Sequence, residues 1–271
     1  MLLIPSADPA RSWQTKTYLG KEDLHLLLAN IFLYAVDKKN LRYKGDTFIV
    51  SVNPGITTTR TLKLARIEYP GNWNPEPGGW RQLAAVLRNQ QKLELQVETI
   101  KPSEGNLKGN FAVAHLTGTV PFHFTDTQRT ELKQFVEGGG TLIVDAAGGS
   151  GDFATAAEAE LNLIFGEEAK TLGKPLPPEH KLYTAGEEAL GSIAYRTLAR
   201  KLIVGSLNTP RLSAIEMNGR PAVIFSRDDL SAGLVGQSVD GIIGYEPESA
   251  TRIMSKILRY ISDVRPQRPA N

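Results

Sequence analysis

The amino-acid sequence predicts an α/β protein with a mostly parallel sheet covered by helices on both faces. Two observations lead to this fold class. From about residue 57, segments with strand patterns alternate with segments of helical periodicity, which is typical of parallel sheets. The run "TLIVDAA", residues 141–147, is apolar almost throughout and lies between glycine turns, as expected of a strand buried on both faces.

The length of 271 residues suffices for one large domain and an appendage. We predict an N-terminal helix-strand extension over residues 1–56, the α/β domain over 57–264 and a disordered tail over 265–271. The chain contains no cysteine, which excludes disulfides, a thiolate nucleophile and cysteine-ligated metal centres.

Charge and hydropathy bound the partners. The net charge of +2 arises from interspersed acidic and basic residues without a basic block, so no nucleic-acid partner is expected. The longest apolar run, residues 24–36, is too short to span a bilayer, and the first residues lack the features of a secretory signal. The chain as it stands is expected to be cytoplasmic, or extracytoplasmic if it is a fragment of a longer membrane-attached protein.

The first elements follow from side-chain periodicity. Apolar residues recur at helical spacing over residues 20–36, which predicts an amphipathic helix. "DTFIVSV", residues 46–52, predicts a short strand. Beyond it the sequence predicts the following elements in order: strand 61–69, helix 78–90, strand 92–100 and strand 110–118.

The next unit has the clearest signals. Thr125 followed by Gln128 predicts a capping box at the start of a helix, and three glycines from residue 138 predict its end. The strand 141–147 then leads through a glycine turn into a helix over 152–166, for which Asp152 is the predicted cap.

The remaining sequence predicts a loop-rich insertion over residues 167–200 and a hairpin over residues 211–229. The hairpin turns at Asn218 and Gly219, a dipeptide suited to a tight turn. An amphipathic helix over 248–264 completes the domain.

Ligands bind outside the carboxyl ends of parallel strands, where loops from different strands meet. This rule would bring together residues 72–80, 115–119, 145–152 and 227–230. The candidate ligand-binding residues in these loops are Trp73, Asn74, Trp80, His115, Thr117, Gly118, Gly148, Gly149, Ser150, Asp152, Arg227, Asp228 and Asp229. We expect a cleft for a small polar ligand, such as a carbohydrate, or for a segment of another domain or protein.

The two tryptophans in the first loop permit two interpretations. A flat indole face with one hydrogen-bond donor suits stacking on sugar rings or other planar ligands. Alternatively, the ring turns inward and holds the loop to the following helix. The inward arrangement is favoured for Trp80, at the helix start, and both remain open for Trp73.

The glycine turn "DAAGGSGD", residues 145–152, also permits several interpretations. Its backbone amides, ahead of a helix, could bind an anion. Gly149, Gly151 and Ala154 formally match a dinucleotide fingerprint, but the required acidic ribose contact is missing, and no P-loop lysine follows. The glycines could equally serve close packing of strand against helix. No cofactor is therefore expected.

His115, Asp145 and Asp228 are the candidate catalytic residues, because a histidine and carboxylates can act as acid and base in hydrolysis. A divalent cation is an alternative, since carboxylate oxygens are ligands for Ca²⁺ and Mg²⁺. That set would comprise His115, Asp145, Asp152, Asp228 and Asp229. The structural alternative is that these aspartates cap helices and turns.

Four segments together resemble a bacterial family, the domain of unknown function 4159. They are "ARIEYPGNW" (65–73), "HLTG" (115–118), "FTDTQRTELKQFVEGGGTLIVDAAGGSGDF" (124–153) and "AVIFSRDDLSAGLVGQ" (222–237). The family is similar to class I glutamine amidotransferase-like and trehalose-utilisation-like proteins. Over residues 61–262, the resemblance implies a flavodoxin-like three-layer sandwich and no known activity.

The sequence departs from true amidotransferases at their nucleophile. Their Gly-x-Cys-x-Gly turn corresponds to "VDAAG", which places Ala146 at the cysteine, so thioester chemistry is excluded. Members of the family resemble pieces of larger bacterial proteins. We therefore expect a non-catalytic ligand-binding or assembly module of such a protein; the alternative is a hydrolase that acts on carbohydrate or with a divalent metal.

Overall fold

The computed structural model describes residues 9–15, 20, 22–36, 49–107, 111–186, 189–239 and 241–264. The chain divides into two compact units, Met1–Thr47 and Phe48–Asn271. The predicted tail, 265–271, lies outside the described residues, and the predicted boundary after residue 56 stays a prediction.

The described residues of the first unit form two helices, α1 (Pro9–Gln14) and α2 (Glu22–Val36), of which α2 confirms the predicted helix. The indole Nε1 of Trp13 donates a hydrogen bond to the Leu24 carbonyl at 2.9 Å and so joins the two helices. No helix in the described part of the chain is both long and apolar enough to cross a membrane.

The predicted strand over 46–52 is wrong for residues 49–52, which are described and adopt no strand; residues 46–48 lie outside the described ranges. Ile49 is 74% exposed. The segment is held by a side chain instead, because Asn89 accepts from the Asn53 amide at 2.8 Å and donates to the Ser51 carbonyl at 2.9 Å. An apolar alternation forms a strand only where a partner strand is available.

The second unit contains the sheet. Its strands are β1 (Arg60–Ile67), β2 (Leu93–Ile100), β3 (Val113–Gly118), β4 (Thr141–Ala146), β5 (Leu212–Met217) and β6 (Arg220–Ser226). Its helices are α3 (Pro77–Gln91), α4 (Asp126–Glu137), α5 (Gly151–Phe165), α6 (Lys181–Thr184), α7 (Thr197–Leu202) and α8 (Pro247–Val264). The strand order is β2-β1-β3-β4-β6-β5, and all neighbours are parallel except β5 and β6.

The sheet is the middle of three layers, which confirms the predicted fold class and its flavodoxin-like arrangement. Side chains of β1 alternate between two buried clusters, as the period of a strand requires. Leu64 belongs to the cluster that includes residues of α3 and α8, and Ala65 to the cluster that includes residues of α4 and α5. Among the described residues, strand β2 has a neighbour on one side alone and is therefore an edge strand.

Local signals predicted most helix and turn positions. The capping box of Thr125 and Gln128 is present at α4, and the hairpin turns at Asn218 and Gly219, whose φ angles of 53° and 73° are left-handed. The predicted cap Asp152 is wrong. Ser150, with extended backbone just before α5, accepts from the Phe153 amide instead, because the cap must precede the first turn.

The predicted loop-rich segment 167–200 contains short helices, including α6 and the start of α7, and much of it is packed on the sheet. Leu182, Tyr183 and Tyr195 are buried in the same cluster as α3 and α8. In its described part, the segment is therefore a component of one outer layer rather than a separate loop.

Candidate functional site

The four predicted loops meet at the carboxyl end of the parallel strands. The Asn72 side chain donates to the Thr119 hydroxyl at 2.7 Å, and the Ser150 hydroxyl donates to the Thr119 carbonyl at 2.8 Å. The Gly148 amide donates to Asp229 Oδ1 at 2.7 Å. Hydrogen bonds thus join the loops that follow β1, β3, β4 and β6.

The crevice between the ends of β1 and β3 is closed, although flavodoxin-like folds bind ligands at this position. The Tyr69 hydroxyl donates to the Thr117 carbonyl at 3.0 Å, and its ring lies 4.7 Å from that of Phe122. At Gly118, a Cβ would meet the Phe153 ring at 2.9 Å. The predicted residues Thr117 and Gly118 are therefore covered by Tyr69 and Phe153.

The centre of this end of the sheet is a buried network around Asp145 on β4. His115 Nε2 lies 2.6 Å from Asp145 Oδ1, and both side chains are fully buried. The Ser231 hydroxyl also donates to Oδ1, at 2.9 Å, while the amides of Leu230 and Ser231 donate to Oδ2 at 3.2 and 2.9 Å. One carboxylate thus accepts four hydrogen bonds and holds the turn after β6 against the sheet.

Protonation states follow from these contacts. Burial alone would raise the pKa of Asp145, but hydrogen bonds from His115 and Ser231 outweigh it and hold the pKa below its usual value. Burial lowers the pKa of His115 more than Asp145 raises it. The pair is therefore a carboxylate and a neutral imidazole, in which His115 Nε2 carries the proton and donates it in a hydrogen bond to Asp145 Oδ1. His115 Nδ1 has no hydrogen-bond partner in the described part of the chain.

Asp229 fixes the glycine turn to the turn after β6. Its Oδ1 accepts from the amides of Gly148 and Ala232, at 2.7 and 3.0 Å, and its Oδ2 from the Gly233 amide at 3.1 Å. Burial, together with the nearby Asp145 carboxylate, raises the pKa of Asp229 to about 7 against these amides. Its charge therefore changes near neutral pH.

This raised pKa predicts a pH dependence of stability. Between about pH 4 and pH 7 the folded state binds a proton at Asp229 that the unfolded state does not, so Asp229 stabilises the fold increasingly as pH falls from 8 to 5. The unfolding free energy of the wild type minus that of Asp229→Asn should therefore become more positive on acidification, by up to ~1.4 kcal/mol per pH unit. Urea denaturation at four pH values measures it. Asp152→Asn, which removes an exposed charge, is the control, and a flat or shrinking difference contradicts the assignment.

A cavity of about 330 Å³ lies beside this network, between α3 and the edge of the sheet that β2 forms. Its lining comprises Arg66, Trp73, Asn74, Pro77, Trp80, Arg81, Ala84, Leu95, Val97 and Thr99. The predicted residues Trp73, Asn74 and Trp80 are therefore together at one cavity. Trp80 is at once buried in the core, as expected, and a wall of this cavity.

Arg66 is the buried one of two cations in the cavity lining. It is paired in register with His115 on β3 and is 5% exposed. Its guanidinium carbon lies 6.0 and 5.8 Å from the ring centres of Trp73 and Trp80, and its Nη2 donates to the Trp73 carbonyl at 3.2 Å. Burial lowers the pKa of Arg66 to about 10, partly opposed by Asp145, so the side chain is cationic at neutral pH.

Three buried polar atoms of the lining residues have no partner among the described residues. They are Arg66 Nε, Trp80 Nε1 and Asn74 Oδ1. Buried polar groups are nearly always hydrogen-bonded, so each exception needs an explanation. Two of the three are donors, and one of these is on a cation, which is the arrangement suited to a ligand with acceptor atoms.

The other predicted residues lie away from the cavity. Arg227 makes a bidentate ion pair with Glu158 on α5, at 2.7 Å for each contact. Asp228 is buried, its pKa is raised by burial, and its nearest cation is Arg211 at 4.0 Å. Asp152 is exposed at the first turn of α5. Within the described ranges, no three His, Asp or Glu side chains are grouped to hold a metal ion.

Sequence reasoning missed Arg66 and Arg81. A signal for Arg66 was present. Leu62, Leu64 and Arg66 are spaced by two residues and therefore share one face of β1, and the two leucines predict that this face is buried. A cation at the end of such an inward series is unusual and indicates a functional or paired charge. Arg81 lies on the exposed side of α3 and carries no comparable signal.

The fold and the cavity define a class of protein: a flavodoxin-like α/β domain with a cationic, aromatic-lined cavity beside an edge strand. The chain belongs to the family described as Domain of unknown function (DUF4159), which matches residues 63–261. No curated protein matches the sequence.

Proposed function

We propose that the protein is a non-catalytic ligand-binding module and that the cavity takes a small ligand with an anionic group on a planar or ring-shaped body. The observation that carries the proposal is the pair of unpartnered donors, Arg66 Nε and Trp80 Nε1, on residues that line one cavity. Arg81 adds a second cation, and Trp73 and Trp80 supply flat apolar surfaces.

The geometry of the acidic residues supports a binding role over hydrolysis. A general base must come within about 3 Å of the proton that it removes. His115 is fully buried and does not line the cavity, and the oxygens of Asp145 already accept four hydrogen bonds. Asp145 and Asp229 thus accept hydrogen bonds that join loops, and none of Asp145, Asp228 and Asp229 lines the cavity.

The relation to glutamine amidotransferase-like proteins is part of the proposal. A strand, a tight turn and a helix follow one another at β4, the turn Ala147–Gly149 and α5, with Gly148 and Gly149 at positive φ. This is the kind of turn on which such folds present a nucleophile. Here the residue at its start is Ala146, which is fully buried and offers no nucleophile, so the turn serves packing. That the module belongs to a larger bacterial protein is a further part of the proposal.

The ligand chemistry is distinguished by small probes. Glucuronate and benzoate each combine a carboxylate with a ring, while glucose and benzyl alcohol lack the charge. Fragments of this size bind with a Kd on the order of 1 mM when a charged pair forms. We expect both carboxylates to bind more tightly than their neutral counterparts, as measured by ligand-observed NMR titration.

Two variants localise the binding. Trp73→Ala removes an aromatic wall and Arg81→Gln removes an exposed cation, and each should weaken binding of the better carboxylate by about tenfold, equivalent to ~1.4 kcal/mol. Trp13→Ala and Arg200→Gln, which change residues outside the cavity lining, should leave it unchanged. Equal binding of charged and neutral probes, or equal loss in all four variants, contradicts the proposed ligand.

A further inference from the structure

We infer that the natural occupant of the cavity is an acidic side chain of an extended segment of a partner protein, which pairs as an added strand with the free edge of β2. This inference rests on the proposed function, because it uses the same cavity. It keeps the anionic group of that proposal but places it on an extended polypeptide instead of a ring-bearing small ligand, and it adds that the sheet binds the polypeptide backbone.

The edge of β2 is the first support. Its eight residues pair with β1 in unbroken register, and nothing pairs on its other side in the described part of the chain. Natural edge strands are commonly blunted by lysine, proline or a bulge, because unpaired backbone groups invite further strands. β2 has the sequence "LELQVETI", which contains neither lysine nor proline, and its register with β1 has no bulge. Its two glutamates, Glu94 and Glu98, alternate with the cavity-lining residues and therefore lie on the opposite face of the strand.

The direction of the backbone groups is the second support. The carbonyls of Lys92 and Ile100 accept from the β1 side, from the amides of Thr59 and Glu68 at 2.8 and 2.9 Å. Backbone groups alternate in direction along a strand, so the even-numbered residues of β2 face β1 and the odd-numbered residues face outward. Leu95, Val97 and Thr99 therefore present the unpaired amides and carbonyls of this edge.

The same three residues line the cavity, which is the third support. A strand laid along β2 would make its hydrogen bonds with Leu95, Val97 and Thr99 and would place every second side chain on the cavity face. Val97 is 37% exposed there, so the face is open to a neighbouring side chain. Arg66 and Arg81 at the cavity select a carboxylate among those side chains by charge.

The experiment uses the full chain and two libraries of acetylated, amidated octapeptides. One library carries Asp or Glu at a central position and the other carries Asn or Gln, with the remaining positions drawn from Thr, Val, Ile and Lys. We expect selective retention of acidic peptides. For the best peptide, N-methylation of alternate backbone amides should weaken binding at least tenfold in one alternation and little in the other.

A protein variant tests the edge itself. Val97→Pro removes an outward amide and leaves the pairing with β1 intact, and proline is tolerated on edge strands. It should weaken binding of the best peptide at least tenfold relative to Val97→Ala, which keeps the amide. In amide-exchange measurements on the wild type, Val97 and Thr99 should exchange faster than Glu98 in the free chain and become protected by the peptide. Because the exchange and N-methyl measurements use the wild type, a misfolded Val97→Pro variant does not remove the test.

The other outcomes separate the two proposals. Binding of benzoate or glucuronate without binding of any peptide overturns the strand addition and leaves the small-ligand proposal standing. Peptide binding that is lost in Trp73→Ala but unaffected by Val97→Pro and N-methylation also overturns it. A dimer in light scattering that dissociates in Val97→Pro identifies a second copy of this chain as the occupant and overturns the partner assignment. Failure of both probes overturns both proposals.

Discussion

Replacement of Asp145 by alanine is expected to lower the free energy of unfolding by about 3–5 kcal/mol. The carboxylate accepts four hydrogen bonds, from His115, Ser231 and two backbone amides, at a position without solvent access. Each buried donor left without a partner costs about 1–3 kcal/mol, so the loss exceeds that of an ordinary core substitution. Urea denaturation followed by circular dichroism measures it.

Two matched variants accompany this substitution. Ser231→Ala removes one of the four donors and should cost about 1 kcal/mol. Asp152→Ala removes an exposed aspartate at the same end of the sheet and should change stability by less than ~0.5 kcal/mol. If Asp145→Ala were as stable as Asp152→Ala, the network would not hold the loops together, and a catalytic role for His115 and Asp145 would regain support.

Replacement of Gly149 by alanine is expected to destabilise the fold by about 3 kcal/mol, from backbone strain and steric overlap together. Gly149 has a φ of 74°, and a Cβ there would meet the Cβ of Ile243 at 2.6 Å. The neighbouring backbone cannot easily withdraw, because the Ile243 amide donates to the Gly148 carbonyl at 3.1 Å and its carbonyl accepts from the Asp229 amide at 3.0 Å.

Gly148→Ala is the matched control, because Gly148 also has a positive φ, 69°, but a Cβ there would meet nothing within 4 Å. It should cost about 1–2 kcal/mol, which is the backbone contribution alone. Thermal or urea unfolding of both variants separates strain from overlap. Equal losses for the two variants would show that the segment around Ile243 does not press on the glycine turn.

The sheet and its order of elements could be predicted because the signals are local. Alternation at Leu62 and Leu64, the capping box at Thr125 and the turn at Asn218 each depend on a few neighbouring residues. Over residues 49–52, the predicted strand was wrong because strand formation depends on a distant partner, which the sequence pattern does not contain.

The candidate site was predictable in part, for a related reason. The rule that loops meet at the carboxyl ends of strands correctly grouped the segments around Trp73, Thr119, Ser150 and Asp229. The rule does not say whether the loops leave a space or close on one another. That outcome depends on side chains such as Tyr69, which fills the crevice between β1 and β3.

The cavity lies beside β2, an edge strand that is incompletely covered. At the outer end of the sheet, Val97 is partly uncovered, and the small residue Ala84 of α3 lines the space above the sheet. Single residues of this kind carry little signal in a sequence. The tryptophans of the loop after β1 were among the predicted residues, whereas Arg66 was missed, and the sequence pattern does not show that these residues line one cavity.

The most direct test of the binding proposal is the indole region of an ¹⁵N NMR spectrum during titration with benzoate or glucuronate. The chain has three tryptophans, so three indole N–H signals report separately on the cavity and on the N-terminal unit. The proposal predicts saturable shifts of the Trp73 and Trp80 signals, with the Trp80 proton moving downfield as it gains an acceptor, and no shift of Trp13. Binding that leaves Trp73 and Trp80 unmoved, or that shifts all three equally, would contradict it.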